Sequence, residues 1–167
     1  MNLNNYIRDI PDFPKKGIIF KDITPLLKNK EAYYYAIEEF KKRIFKRKID
    51  YIIGIESRGF ILGAALAQSL NCGFVPIRKK GKLPYKVISE TYDLEYGKDT
   101  LEVNLKLQAK KIIVVDDLLA TGGTARAACE LLNKAGATVS CFISLIELNF
   151  LNGRKKIDVP TETLIRY

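Results

Sequence analysis

The sequence predicts an α/β fold with a mainly parallel central sheet flanked by helices, and three observations carry that prediction. Short β-branched apolar runs at 50–55, 74–77, 112–116 and 138–148 read as buried strands. Helical patterns at 58–70 and 124–135 fall between them, the alternation that produces right-handed crossovers. The runs ending at Ile55 and Val115 each lead through a polar, glycine-bearing turn into a helix. In open α/β sheets, ligands bind at that end of the strands.

Taken in order, the first residues carry Pro11, Phe13, Pro14, Gly17 and Pro25 and read as an irregular extended arm. Between Asn29 and Lys48, Tyr33, Ile37, Phe40 and Ile44 recur at helical spacing, which predicts an amphipathic helix. Asp50 to Ile55 is a strand, Arg58 to Leu70 a small-residue helix able to pack closely on a sheet, and Phe74 to Ile77 a strand. Residues 81–100 are polar, rich in Gly, Lys and Tyr, and read as a strand pair or a mobile flap. Ile112 to Asp116 is the central strand. Its helix, Thr124 to Ala135, sets Ala128, Leu131, Leu132 and Ala135 on one face and closes at Gly136. Thr138 to Leu148 is another strand, and Thr163 to Tyr167 a short last one. No repeat or linker interrupts the chain, so residues 1–167 are expected to form one domain.

Composition narrows the chemistry. No apolar run is long enough to span a bilayer and no basic-then-apolar leader opens the chain, so a cytoplasmic protein with no membrane partner is expected. Cys72, Cys129 and Cys141 are far apart, odd in number and without a Cys-x-x-Cys spacing, and read as reduced thiols packed in the core. The absence of histidine excludes Ser-His-Asp and Cys-His catalysis and histidine-held metals. Any metal should be a hard, oxygen-bound ion such as magnesium. The net charge of +9 suggests nucleic acid, but it is not one stripe. Lys41 to Lys48 closes a helix, where cations meet the dipole favourably. Arg78 to Lys82 follows a strand and is the better place for an anion; the same charge balance would steer a polyphosphate.

The central strand carries the strongest signal. Asp116 and Asp117 follow Val115, and Leu118, Leu119, Ala120, Thr121, Gly122, Gly123 and Thr124 lead into the helix. Loop amides at a helix start cradle an anion, and two carboxylates beside them accept from hydroxyls, a combination that a sugar phosphate needs. No Gly-Lys-Ser/Thr follows, and there is no Gly-x-Gly-x-x-Gly, so this is neither a Walker loop nor a dinucleotide site. The stretch Ile52 to Gly59 repeats the design, with Ser57 and Arg58 able to hold a second anion. The alternative there is a plain helix cap by Ser57 beside a surface Arg58. Two anion sites flanking a diol-binding acid pair suggest a ribose with phosphates at both ends, as in phosphoribosyl pyrophosphate.

These residues resemble the type I phosphoribosyltransferases, and the likeness covers nearly the whole chain. It runs through Pro11 to Pro14, Gly17 to Leu27, Glu56 to Phe60, Arg78 to Pro84, Tyr92 to Gly97 and Val114 to Thr124. The last motif resembles the superfamily as a whole, and the others together point to its adenine branch.

The resemblance implies that fold, with an N-terminal hood at about 1–28 and a flexible loop at about 81–100 that closes over the site. It implies transfer of the phosphoribosyl group to N9 of adenine, giving AMP and pyrophosphate, in a homodimer. Asp116 and Asp117 would bind the ribose hydroxyls, and Ala120 to Thr124 the 5′-phosphate through amides and the Thr121 and Thr124 hydroxyls. Ser57 and Arg58 would line the pyrophosphate loop, magnesium would bridge pyrophosphate and ribose oxygens, and Arg78 and Lys79 would reach pyrophosphate, partly across the dimer. Backbone groups at Ile19 and Lys21, with Phe20 nearby, would read the base. Glu95 would handle the proton leaving the purine, or else be a solvated strand residue or a cation's partner; Tyr96 would shield the closed site or simply pack. Leu118 and Ala120 complete the expected substrate contacts. Ala120 stands where the 6-oxopurine relatives commonly carry aspartate, which argues for adenine, and Lys21 stands where several adenine enzymes show arginine. The competing reading is a non-catalytic regulator that senses phosphoribosyl pyrophosphate and binds nucleic acid; no appended DNA-reading segment supports it. Phosphoribosyl pyrophosphate synthesis fails on length, because those relatives use two such domains.

Overall fold

The computed structural model describes residues 1–93 and 97–167. Strands β1 (Arg8–Pro11) and β2 (Ile19–Asp22) come first, then helices α1 (Thr24–Lys28) and α2 (Lys30–Ile44). Strand β3 (Tyr51–Ile55), helix α3 (Arg58–Ser69) and β4 (Gly73–Lys79) make one crossover. A hairpin of β5 (Ile88–Asp93) and β6 (Lys98–Val103) precedes the second crossover, β7 (Lys111–Leu119), α4 (Gly123–Lys134) and β8 (Thr138–Glu147). The last strand is β9 (Thr161–Arg166). Seven strands form one sheet in the order β5-β6-β4-β3-β7-β8-β9. The pairings from β4 through β9 are parallel, and the hairpin joins β4 antiparallel at its edge.

Both faces of the sheet are covered, which is why its strands read as unbroken apolar runs. On one face α4 buries Ala125, Ala128, Leu131 and Leu132 against Ile53, Val114 and Phe142. On the other, α2 and α3 bury Ala36, Phe40, Leu62 and Leu66 against Ile52, Ile113 and Val115. Asn29 caps the expected helix, its side chain accepting from Ala32 N at 2.9 Å, but the helix ends at Ile44, so Lys41, Lys42 and Arg43 fill its last turn while Lys46, Arg47 and Lys48 lie beyond it. Cys129 and Cys141 are buried and unbridged, as a core-packing role requires, and burial pushes their thiols up to about 12 and about 11. No helix among the described residues is long and apolar enough to cross a membrane.

Three expectations need correction. The N-terminal arm is not irregular: after a 3-10 turn at Leu3–Tyr6, β1 and β2 pair antiparallel, with Arg8 opposite Asp22. Asp22 accepts from Arg8 Nε at 3.0 Å and Nη2 at 2.6 Å, and its other oxygen accepts from Thr24 N at 2.9 Å at the start of α1. Pro25 does not break that helix but sits in its first turn, where a missing N–H costs nothing. The central strand does not stop at Asp116. It runs to Leu119, because the ten-residue β8 continues the parallel ladder as far as Leu119 opposite Glu147. Arg78 and Lys79 do not follow a strand; they end one.

Packing of α3 on the sheet positions the site. A Cβ at Gly59 would stand 2.7 Å from the carbonyl oxygen of Val115 and 3.1 Å from Oδ1 of Asp116. Only glycine lets the first turn of α3 come that near β7. Gly59→Ala should therefore cost about 1–3 kcal/mol of stability, the usual penalty for overpacking. A fall in thermal midpoint checks it, and an unchanged midpoint would show that the turn can retreat freely.

Candidate active site

Strands β3 and β7 pair in parallel with Gly54 opposite Val115, so the turns that leave them open into one space. That space is a cleft of about 340 Å³. Glu56, Ser57 and Arg58 border it from the first turn, Lys79 from the end of β4, and Asp116 through Ala125 from β7 and its loop. The structure thus brings together most of the residues singled out from sequence.

Two helices begin at this cleft with donors to spare. Gly122, just ahead of α4, takes a left-handed φ of +82°, and no side chain caps that helix. Ser57, just ahead of α3, makes no side-chain capping bond either, so the plain-cap reading of Ser57 is not realised. Both first turns offer amides to an anion, although in α3 the Phe60 amide already donates to the Ser57 carbonyl at 3.2 Å.

Between these helix starts lies the acid pair. Asp117 N donates to Asp116 Oδ1 at 2.9 Å. The Asp117 side chain is 5% exposed, and its Oδ2 stands 3.0 Å from Arg58 Nε. No N–H is aimed at that oxygen, so its contact with Arg58 is an ion pair and not a hydrogen bond. Burial raises the pKa of both carboxyls; the charge of Asp117 raises Asp116 further, while Arg58 opposes the rise at Asp117.

Glu56, which carried no separate role in the sequence, gathers the cations on the β4 side. It accepts from Arg78 Nε at 3.1 Å, Lys79 N at 2.8 Å and Lys82 Nζ at 2.9 Å. The Arg78 bond foremost holds its carboxyl down, at about 2. Arg78 itself does not border the cleft. Lys79 does, and its ammonium pairs with Asp99 and donates to the Tyr92 hydroxyl at 3.2 Å. That hydroxyl also accepts from Thr124 Oγ1 at 3.3 Å, which sets the hairpin beside the loop.

A second, apolar pocket of about 420 Å³ lies beside the first and shares Arg58 with it. Phe13, Phe20, Ile23, Leu27 and Ile61 line it. Phe13 and Phe20 meet edge to face at 5.2 Å, and the Arg58 guanidinium sits 5.0 Å from the Phe20 ring centre. Ile19 and Lys21 do not border this pocket. Lys21 is committed elsewhere, to Asp9 at 2.8 Å and to the Tyr167 ring at 3.6 Å. Glu95 and Tyr96 lie outside the described residues. Among the described residues no three acidic or cysteine side chains gather to hold a metal. Sequence reasoning also gave no role to Asp22, which braces the apolar pocket, or to Gly153, which abuts Ala120 and Gly122 from behind.

A family profile described as a phosphoribosyl transferase domain matches residues 24–160. The adenine phosphoribosyltransferase of Brachyspira hyodysenteriae is 55% identical over 170 residues, covering all of both chains. A crystal structure of adenine phosphoribosyltransferase from Thermoanaerobacter pseudethanolicus superposes with a TM-score of 0.96 at 50% identity, over 99% of this chain and 98% of the other. The Saccharomyces cerevisiae enzyme, solved with an imino-altritol bisphosphate and adenine, does so with a TM-score of 0.92 at 41% identity, over 97% and 96%.

The ordinary pKa of Glu56 would be 4.5 and the fold lowers it to about 2. A lowered carboxyl contributes stability that is complete above its unfolded pKa and is lost as pH falls through the folded one. Glu56→Gln should therefore lower the melting temperature at neutral pH, with the gap to wild type closing between about pH 4.5 and pH 2. Melts across that range check it; a gap of constant size would contradict the ion-pair account.

Proposed function

The chain belongs to the phosphoribosyltransferase family, and we propose that it transfers the 5-phosphoribosyl group of phosphoribosyl pyrophosphate to N9 of adenine in purine salvage, releasing AMP and pyrophosphate. One observation carries the reading: two uncapped helix starts flank an acid pair, Asp117 buried and Asp116 half-buried, in a single cleft, and an apolar pocket adjoins it through Arg58. Full-length identity to adenine phosphoribosyltransferases supports the choice of base.

In this reading the amides and hydroxyls from Ala120 to Thr124 hold the 5′-phosphate. Asp116 and Asp117 accept from the ribose hydroxyls, and Oδ2 of Asp117, ion-paired with Arg58 but without a hydrogen-bond donor, supports that role. Ser57, Arg58 and Lys79 face the pyrophosphate. As the bond from C1′ to pyrophosphate breaks, Arg58 stabilises the departing charge. Phe20, Leu118 and the apolar pocket hold the flat base and keep water from the sugar cation, which water would otherwise hydrolyse. Backbone groups at Ile19 and Lys21 read the base edge, since the Lys21 side chain is engaged with Asp9. Glu95 takes the purine proton and Tyr96 shields the closed site.

Magnesium fits this cleft. Its donors are hard carboxylate oxygens and no protein cage competes among the described residues, so the ion would be held mainly by pyrophosphate and ribose oxygens beside Asp116 and Asp117. When bound, it neutralises the leaving pyrophosphate.

We read residues 1–167 as one catalytic unit, with residues 1–28 as the hood and 81–100 as the closing loop. A cytoplasmic homodimer completes the proposal, in which Arg78 reaches the neighbouring site; exposed Phe13, Ile18, Ile19 and Ile61 support such an interface. Half of the basic run that raised nucleic acid as a partner is ion-paired within the protein: Lys41 with Glu38, Lys42 with Glu39 and Arg43 with Glu162.

Purified protein given labelled adenine, hypoxanthine or guanine should make nucleotide from adenine alone and only with magnesium. Nucleotide from a 6-oxopurine would overturn the base assignment. Asp117→Asn should lower kcat/KM on the order of 10- to 100-fold, the loss of charged hydrogen bonds. Its melting temperature at neutral pH should not fall. Burial raises this carboxyl, so its ionised form opposes folding above the folded pKa, and asparagine removes that opposition. Unchanged kinetics would remove Asp117 from the ribose site.

A further inference from the structure

Behind the cleft, backbone meets backbone with no room for a side chain. A Cβ on Gly153 would overlap the carbonyl oxygen of Ala120 and stand 2.8 Å from the amide nitrogen of Gly122. A Cβ on Gly122 would in turn overlap the carbonyl oxygen of Gly153. The curl from Ala120 to Gly122 is therefore moulded against Gly153, and its shape depends on where Gly153 sits.

Gly153 opens a single 3-10 turn that ends at Lys156. A turn that short has little rigidity of its own. Its anchor is the next residue. Arg154 forks onto Glu147, Nε to Oε1 at 2.9 Å and Nη2 to Oε2 at 2.5 Å. It also donates through Nη1 to the carbonyl oxygen of Thr161, and through Nη2 to Thr163 Oγ1 at 3.4 Å. Arg166 stands 3.5 Å from the same carboxylate. The Glu147 side chain is 5% exposed, so the pair is held in a sheltered place. Glu147 ends β8 directly opposite Leu119, and Leu148 N donates to Leu119 O at 2.9 Å. The fork thus ties Gly153 to the very strand end from which the loop departs. Neither Glu147 nor Arg154 borders the cleft or the apolar pocket.

We propose that Glu147 and Arg154 are positioning residues for the 5′-phosphate: their ion pair locates Gly153, and Gly153 sets the curl of peptide on which the phosphate rests. The inference rests on the reading that this loop is the 5′-phosphate site. A planar, two-pronged contact fixes direction as well as distance, which a lysine cannot reproduce. Loosening it displaces the Ala120–Gly122 peptides and leaves the Ser57–Arg58 turn, on the other side of the acid pair, untouched.

Calorimetric titration of the full chain with AMP, adenosine and pyrophosphate tests this. Wild type should bind AMP far more tightly than adenosine. Equal affinities would overturn the loop reading, and this inference with it. Given that preference, Glu147→Gln and Arg154→Lys should each weaken AMP by about tenfold or more, while pyrophosphate affinity stays within about twofold. Unchanged AMP affinity would overturn the inference and leave the loop reading standing. So would parallel loss of AMP and pyrophosphate in both variants, which is what general loosening of the sheet produces. Retained pyrophosphate binding certifies that a variant is folded, and if Glu147→Gln does not fold, the milder Arg154→Lys decides.

Discussion

Two carboxylates are adjacent in sequence and sheltered from water at the end of a parallel strand, and the rest of the molecule is arranged around that cost. Burial and mutual repulsion both oppose their ionisation. The Arg58 guanidinium answers them, and it arrives from the start of α3, beyond the neighbouring strand β3. Arg58 can stand beside Asp117 only because β3 lies next to β7 and because Gly59 admits α3 to close range. The long ladder between β7 and β8 keeps the acids in a strand, where the backbone holds them at fixed spacing, and not in a loop that could splay them apart.

Much of this was legible along the chain, and the reason is local. Strands covered on both faces must be apolar throughout, so β3, β7 and β8 stand out without knowledge of their partners. The helices between them show their buried stripes by spacing alone. What escaped depends on contacts far apart in sequence. The β1–β2 ribbon has no alternation of its own; Arg8 with Asp22 and Lys21 with Asp9 hold it, across 14 and 12 residues. The last three residues of β7 are strand because β8 is long enough to pair them. Pro25 read as part of an irregular arm because its place within a helix turn cannot be seen before the helix is known.

The same division runs through the site. Asp116 to Thr124 and Ser57–Arg58 are contiguous motifs, and they fall on one cleft as expected. Glu56 is part of such a motif, yet its work lies with Arg78 and Lys82, 22 and 26 residues on. Arg78 looked like a free anion binder and is instead held one step back from the cleft by that carboxylate. Gly153 has no neighbour in the sequence that hints at its contact with the loop. An isolated glycine after an asparagine is an ordinary turn signal, and only the fold reveals what it faces.

Glu56 already occupies the cations that an anion arriving beside the cleft would seek. Without that carboxylate, the Arg78 and Lys82 side chains would repel one another and wander. A resident carboxylate keeps them assembled, as a placeholder for negative charge that has yet to arrive. An incoming anion that draws on these groups must then compete with an occupant already well seated. Its hold reflects the difference between two sets of bonds, so counting nearby cations would overstate its grip.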